Sequence, residues 1–307
     1  MPAMILITCF SLYPMISAFI TSLQTGTGTQ LTFSGLSNYI RAFQDDVFVQ
    51  SIKNCLFYLI IQVPVMLVLA LVFASALNNP HLRFKGFFRT CIFLPCATSL
   101  VAYAIVFRSL FANDGFINTM LIKMGILDEA FNFLANPTSA KIVIIIALVW
   151  RWTGYNMIFY LAALQNIDSS VYEAAKVDGA SPVQTFLKIT LPLLKPTILM
   201  TAIMSTNGTL QLFDESMNLT NGGPGNASIT MSHYIYNTAF KGVPNFGYTS
   251  AMSFIILLMV AVLAFIQLKV GEDNEYKSKE IWNVFYVNSS FNYFYFPYFL
   301  DGNSFNQ

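Results

Sequence analysis

The polar residues that interrupt this chain's apolar runs are the ones whose types could do chemistry, and they fall in two clusters. Arg151, Trp152, Tyr155 and Asn156 stand about halfway along one run, and Asn207, Gln211 and Asp214, followed by Glu215, stand towards the end of another. Polar side chains inside membrane spans face a cavity or a partner helix by default. Aromatic faces beside hydrogen-bonding groups suit a sugar, whose C–H faces stack and whose hydroxyls demand donors and acceptors. Asn207 and Gln211 are four residues apart, so one helical face can present both. The bland readings are packing or interface anchors for the aromatics and a solvated rim for the acidic pair. Arg151 is the costly member, because a cation near mid-bilayer costs roughly 2.5–3.5 kcal/mol on insertion scales. It is expected to face the seam between helices or to pair with a carboxylate, with Asp214 the candidate. The chain has no nucleophile and base at motif spacing, no paired buried carboxylates and no cofactor loop, so it does not read as an enzyme.

The elements that must position these residues follow from composition. Hydrophobic residues make up 55% of the 307 positions and charged residues 10%, where a soluble domain has about a quarter charged. Six apolar runs, 3–23, 54–77, 91–107, 142–164, 197–213 and 251–268, are about as long as a helix needs to cross a bilayer core. The expectation is an all-α polytopic membrane protein with six transmembrane helices; a barrel would show short alternating segments instead. The first run lacks a basic n-region and exceeds an h-region in length, so it reads as a retained span rather than a signal peptide. Arg83, Lys85 and Arg89 in one short loop and Lys176, Lys188 and Lys195 in another predict that those loops and both termini are cytoplasmic.

Other chemistries find little support. Cys9, Cys55, Cys91 and Cys96 lie in or beside apolar runs without a C-x-x-C pair, and His81 and His233 fall in loops on opposite sides of the membrane, so no metal site is expected. No G-x-x-x-x-G-K-[ST] loop is present; any ATP and Mg that drive this chain must be bound by a partner subunit. No basic tract with interleaved aromatics points to nucleic acid.

The polar interruption at residues 170–196, between two long apolar runs, has the chemistry of two short helices. Ser170 and Glu173 make an S-x-x-E capping pattern, Gly179 suits a left-handed helix end, and Ser181 with Pro182 and Gln184 begins a second helix. Pro192 and Pro196 are expected to stop it. Ala174 and Ala175 give a face low enough for another protein to approach closely.

Glu173-Ala174-Ala175, Gly179 and Ile189-Thr190-Leu191-Pro192 together resemble the E-A-A-x3-G-x9-I-x-L-P signature of inner-membrane permease subunits of ATP-binding-cassette (ABC) importers. Residues 152–156 (WTGYN), 219–225 (LTNGGPG) and 33–39 (FSGLSNY) are similar to the carbohydrate branch of that family, the maltose, glycerol-3-phosphate and multiple-sugar type. The resemblance implies a type I permease fold over residues 1–271. It implies a coupling loop in which Glu173, Ala174, Ala175, Gly179, Ile189, Leu191 and Pro192 dock on a cytoplasmic ATPase dimer, the bland role for Glu173 being a capping carboxylate. It also implies a second homologous permease, an external or periplasmic solute-binding protein met by the loop 217–248, and a bacterial cytoplasmic membrane as the setting. Residues 272–307, dense in Phe, Tyr and Asn, depart from the family and read as an atypical, poorly ordered tail. The rival class, a secondary transporter or channel for small polar solutes, leaves the signature loop unexplained.

Overall fold

The computed structural model describes the backbone of residues 2–27 and 30–288 and side chains over 3–26 and 31–271. Fifteen regular elements follow one another: α1 Pro2–Ile7, α2 Tyr13–Ser22, β1 Gln24–Thr27, β2 Gln30–Phe33, α3 Ser37–Gln44, α4 Asp46–Asn78, α5 Lys85–Ala97, α6 Leu100–Leu110, α7 Phe116–Lys123, α8 Pro137–Gln165, α9 Ser169–Val177, α10 Pro182–Thr185, α11 Leu191–Leu210, α12 Met231–Phe240 and α13 Phe246–Asn288. Three π turns, Thr8–Leu12, Phe186–Thr190 and Ser216–Thr220, join or precede helices. The all-α expectation needs one addition, the antiparallel hairpin β1–β2, in which Gln24 pairs with Phe33 and Thr27 with Gln30.

Among the described residues five helices are long and apolar enough to cross a membrane, and the sixth expected span is different. The run 91–107 is not one helix: α5 and α6 meet at a bend of 98°. Pro95 removes a helix donor and crowds the carbonyl four residues back, and Thr98 leaves the helical region with φ −76° and ψ 155°. Hydropathy reports composition and cannot report this turn. The opposite happens at residues 186–196. Pro192 and Pro196 do not stop a helix, because the π turn Phe186–Thr190 widens the coil just before Pro192 and Leu191 N–H bonds to the carbonyl of Phe186. The chain then continues unbroken through α11, as π geometry and local adjustment permit for proline in spanning helices.

Of the described residues, those up to 267 form one unit, and those from 268 on cluster separately. In the first, α4, α8, α11 and the α5–α6 pair surround the interior. One apolar cluster joins Tyr58, Tyr103, Phe107 and Leu148, and another joins Ala70, Ala74, Met157, Tyr160 and Leu194. Close approach of α5 to α8 depends on Gly154, where a Cβ would sit 2.0 Å from the carbonyl oxygen of Ile92. In the second unit α13 is helical to Asn288. Residues 289–307 of the expected tail lie outside the described residues.

Candidate functional site

A cavity of about 300 Å³ opens between α4, α8 and the end of α11. Of the seven residues the sequence singles out for a pathway, five line it: Trp152, Tyr155, Asn156, Gln211 and Asp214. Trp152 and Tyr155, 5.8 Å apart and at 89° to each other, set two aromatic faces at right angles. Glu215 is also at the wall and only 2% exposed, so the solvated-rim reading fails for it. Gln62, Met66 and Thr209 join the lining unforeseen. Gln62 accepts a hydrogen bond from Thr209 Oγ1 at 2.9 Å, tying α4 to α11. Its signal was in the sequence, an amide in an otherwise apolar run. Asn207 does not line the cavity; it is exposed and accepts a hydrogen bond from Gln211 Nε2.

Arg151 is placed differently from expectation. It is 5% exposed, and its described hydrogen-bond partners include no carboxylate. Nη1 donates to the carbonyl of Pro95 at 3.2 Å and to Thr98 Oγ1 at 3.4 Å, and Nη2 donates to the carbonyls of Cys96 at 3.3 Å and Thr98 at 2.9 Å. Among the described residues the carbonyls of Cys96 and Thr98, at the break between α5 and α6, have no backbone donor, whereas that of Pro95 also accepts from Thr98 N–H at 3.4 Å and Thr98 Oγ1 at 2.7 Å. A cation also suits the negative end of the α5 dipole. Hydrogen bonds to a charged group contribute about 1.5–3 kcal/mol each, enough for several to offset the insertion cost of the guanidinium. The ring of Tyr103 covers the guanidinium at 4.7 Å, and Tyr103 Oη donates to Glu215 Oε1 at 2.5 Å. The bend, α8 and the segment after α11 are thus held by one chain of contacts.

The second site is the interruption at 170–196. Its first helix begins two residues earlier than the capping pattern suggests: Asp168 is the N-cap, accepting from Ser170 N–H at 2.9 Å. Asp168 and Ser170 both have capping side chains, and the structure uses the earlier one. The Asp168 carboxyl is held below its usual range by that bond from Ser170. Gly179 has φ +74°, as expected. Its N–H bonds to the carbonyl of Lys176 at 3.1 Å, and Ala180 N–H bonds to that of Ala175 at 2.9 Å, the paired bonds of a Schellman end. The second cap forms as read: Ser181 N–H donates to Gln184 Oε1 at 2.9 Å and Gln184 N–H to Ser181 Oγ at 3.3 Å. Glu173 and Ala174 are exposed, but Ala175 is buried within the chain itself. The low outer face is therefore one alanine wide. Ile189 and Leu191 are half-buried and Pro192 is exposed. Val177, 88% exposed, Val183 and Leu187 leave an apolar surface around the turn.

The third polar region, 212–233, is closed on itself. Ser228 Oγ donates to the carbonyl of Gly223 and pairs with Thr220 Oγ1 at 2.7 Å. Ser216 Oγ lies 3.0 Å from the carbonyl of Ser228 and 2.9 Å from His233 Nδ1. Asn54 on α4 donates to the carbonyl of Ile229 at 2.8 Å. Burial, with Lys241 adding, pushes the His233 imidazole down to about 4. Nearby, Asp45 caps α4 and accepts from Tyr234 Oη at 2.6 Å and Tyr248 Oη at 2.8 Å. Burial alone would raise that carboxyl, but these bonds and the backbone N–H groups of Phe48 and Val47 hold it below its usual range.

Residues 66–271, well over half of the chain, match the family model described as "Binding-protein-dependent transport system inner membrane component". The chain belongs to this family. It is thus a multi-pass membrane permease subunit, with the type I ABC importer permease fold. The lactose transport system permease protein LacF of Rhizobium radiobacter is 52% identical to this permease over 276 residues, spanning 89% of this chain and 93% of that protein. The arabinooligosaccharides transport system permease protein AraP of Bacillus subtilis is 35% identical over 269 residues, spanning 85% and 83%. A solved bacterial alginate ABC transporter, in complex with an alginate pentasaccharide-bound periplasmic protein, superposes with a TM-score of 0.74 at 25% identity over 88% of this permease and 90% of that chain.

Proposed function

We propose that this permease moves a carbohydrate into the cytoplasm, with the cavity beside Trp152 and Tyr155 as part of its route and the 170–196 loop as its connection to a separate ATPase. The sugar class is supported by the relatives named for lactose and arabinooligosaccharides and by the aromatic and amide lining of the cavity. The periplasmic protein in the alginate complex supports a solute-binding partner. A second permease closes the other wall, and the ATPase pair holds ATP and Mg. The basic residues of the short loops support a cytoplasmic position for the coupling loop and for both termini.

The observation that carries the coupling role is the rigid presentation of Glu173. It stands exposed on a helix capped at Asp168 and closed at Gly179, beside the uncovered Val177, Val183 and Leu187. Such a surface, fixed and partly apolar, is what a docking partner needs. The test is the Glu173→Lys transporter reconstituted in proteoliposomes with its ATPase and binding protein. Uptake should fall at least tenfold relative to ATP hydrolysed, with the permease still inserted. Unchanged uptake would remove the coupling assignment.

A further inference from the structure

We infer that the wall this chain gives to the pathway selects uncharged carbohydrates and turns away anionic ones, sugar acids and sugar phosphates alike, through Asp214. The inference rests on the reading of this chain as a carbohydrate permease and narrows it. Among the described residues that line the cavity, the acidic ones are Asp214 and Glu215, and none is basic. The remaining polar lining is neutral: Gln62, Asn156, Ser205, Thr209 and Gln211. Amides and hydroxyls answer hydroxyls, and the rings of Trp152 and Tyr155 offer faces for C–H groups. None of these neutralises a phosphate or a carboxylate.

Arg151 is the cation a sequence reader would give to an anionic ligand, and the structure shows why it cannot serve. Both terminal nitrogens of its guanidinium are bonded to the broken span, at the carbonyls of Pro95, Cys96 and Thr98 and the hydroxyl of Thr98. Its faces meet the rings of Tyr103 at 4.7 Å and Trp152 at 5.5 Å. A ligand anion at these nitrogens would have to displace the carbonyls of Cys96 and Thr98, which have no other backbone donor among the described residues, and leave them unpaired in apolar surroundings, where each lost partner is costly.

The two acids act differently. Glu215 is turned into the wall, bonded to Tyr103 Oη. Asp214 is half-buried, lines the cavity and has no hydrogen-bond partner among the described residues. At an effective dielectric of about 20, a ligand anion within about 6 Å of one carboxylate is disfavoured by at least tenfold. A neutral hydroxyl at the same place instead gains an acceptor. Asp214 is thus the specificity-determining residue, whereas Glu215 is committed to Tyr103.

The test uses the complete transporter in nanodiscs, since the second permease supplies the opposite wall, with the binding protein left out so that its own preference does not enter. The probes are lactose and the same disaccharide oxidised to a uronic acid at C6 of its galactose, each titrated by saturation-transfer NMR. Wild type should bind lactose at least tenfold more tightly. Asp214→Asn should cut the lactose-to-uronate ratio at least threefold, and Asp214→Lys should cut it further. Trp152→Ala should weaken both probes, which places them in this cavity. Equal affinity of wild type for both probes, with Trp152→Ala still weakening both, overturns the charge selection and leaves the carbohydrate reading standing. Lactose binding that ignores Trp152→Ala defeats the carbohydrate reading of this cavity, and the selection with it.

Discussion

Two of the polar regions that interrupt the apolar scaffold satisfy their hydrogen bonds in opposite ways. The 212–233 region folds inward: Ser216, Ser228 and Thr230 are fully buried, and their hydroxyls bond to the region's own carbonyls and side chains. The 170–196 loop closes its helix ends and joins its two helices through Tyr172 Oη and Thr190 Oγ1 at 3.3 Å, but leaves Glu173, Val177 and Val183 uncovered. A segment that completes its own bonds is part of the fold's stability, whereas one that leaves side chains uncovered is free to spend them on another molecule. Substitutions in the first should therefore cost stability and spare coupling, and those in the second should do the reverse.

The largest stability effect should come from Ser228→Ala. It removes the donor to Gly223 and the partner of Thr220 in a buried site, and a loss of about 1–3 kcal/mol follows. A lowered thermal midpoint in detergent, with transport per folded transporter unchanged, would fit. A coupling defect at unchanged stability would erase the distinction between the two regions. Next is the pH response of the same block. His233 is neutral when folded, with a value near 4, against about 6.5 when unfolded. Its contribution is fully present above pH 6.5 and declines as the pH falls from there towards 4, by roughly 1–3 kcal/mol. His233→Gln should flatten the fall in thermal midpoint over that window, and an identical slope in both proteins would exclude the histidine as its source. The smallest stability effect belongs to Gly179→Ala. No atom lies within 4 Å of the new methyl, so only the positive φ is strained, at roughly 1 kcal/mol. The thermal midpoint should hardly move while uptake per ATP falls severalfold; unaltered coupling would show that the turn's geometry is not what the ATPase reads.

The same contrast explains what could be read from the sequence. The coupling loop was legible down to Gly179 and the Ser181–Gln184 box because caps are local, decided within four residues. Its misreadings were also local: Asp168 competed with Ser170 for the first cap, and Ala175 turned inward because helix periodicity gives neighbouring alanines different faces. The cavity was half legible. Trp152, Tyr155 and Asn156 stood out as polar or aromatic in an apolar run, but Asn207 shares its helical face with a Gln211 that lies beyond the helix end. The partner of Arg151 was not legible at all. A search for opposite charge looks among carboxylates, and the groups that took the guanidinium are backbone carbonyls at a bend 53 to 56 residues away. Pro95 was the one hint of that bend, yet Pro64 lies inside α4 without ending it. Proline shows where a break is cheap, and tertiary contacts decide whether it occurs.

A chain that turns within an apolar layer needs something to hydrate the turn. In this permease the solvent is covalently attached: the four donor contacts of Arg151 do for Pro95, Cys96 and Thr98 what a few water molecules would do at a surface. Unlike water, this hydration cannot exchange or carry a proton onward. The bend is therefore solvated from within by a side chain 53 to 56 residues away, so a single substitution at Arg151 would strip several carbonyls of a donor at once.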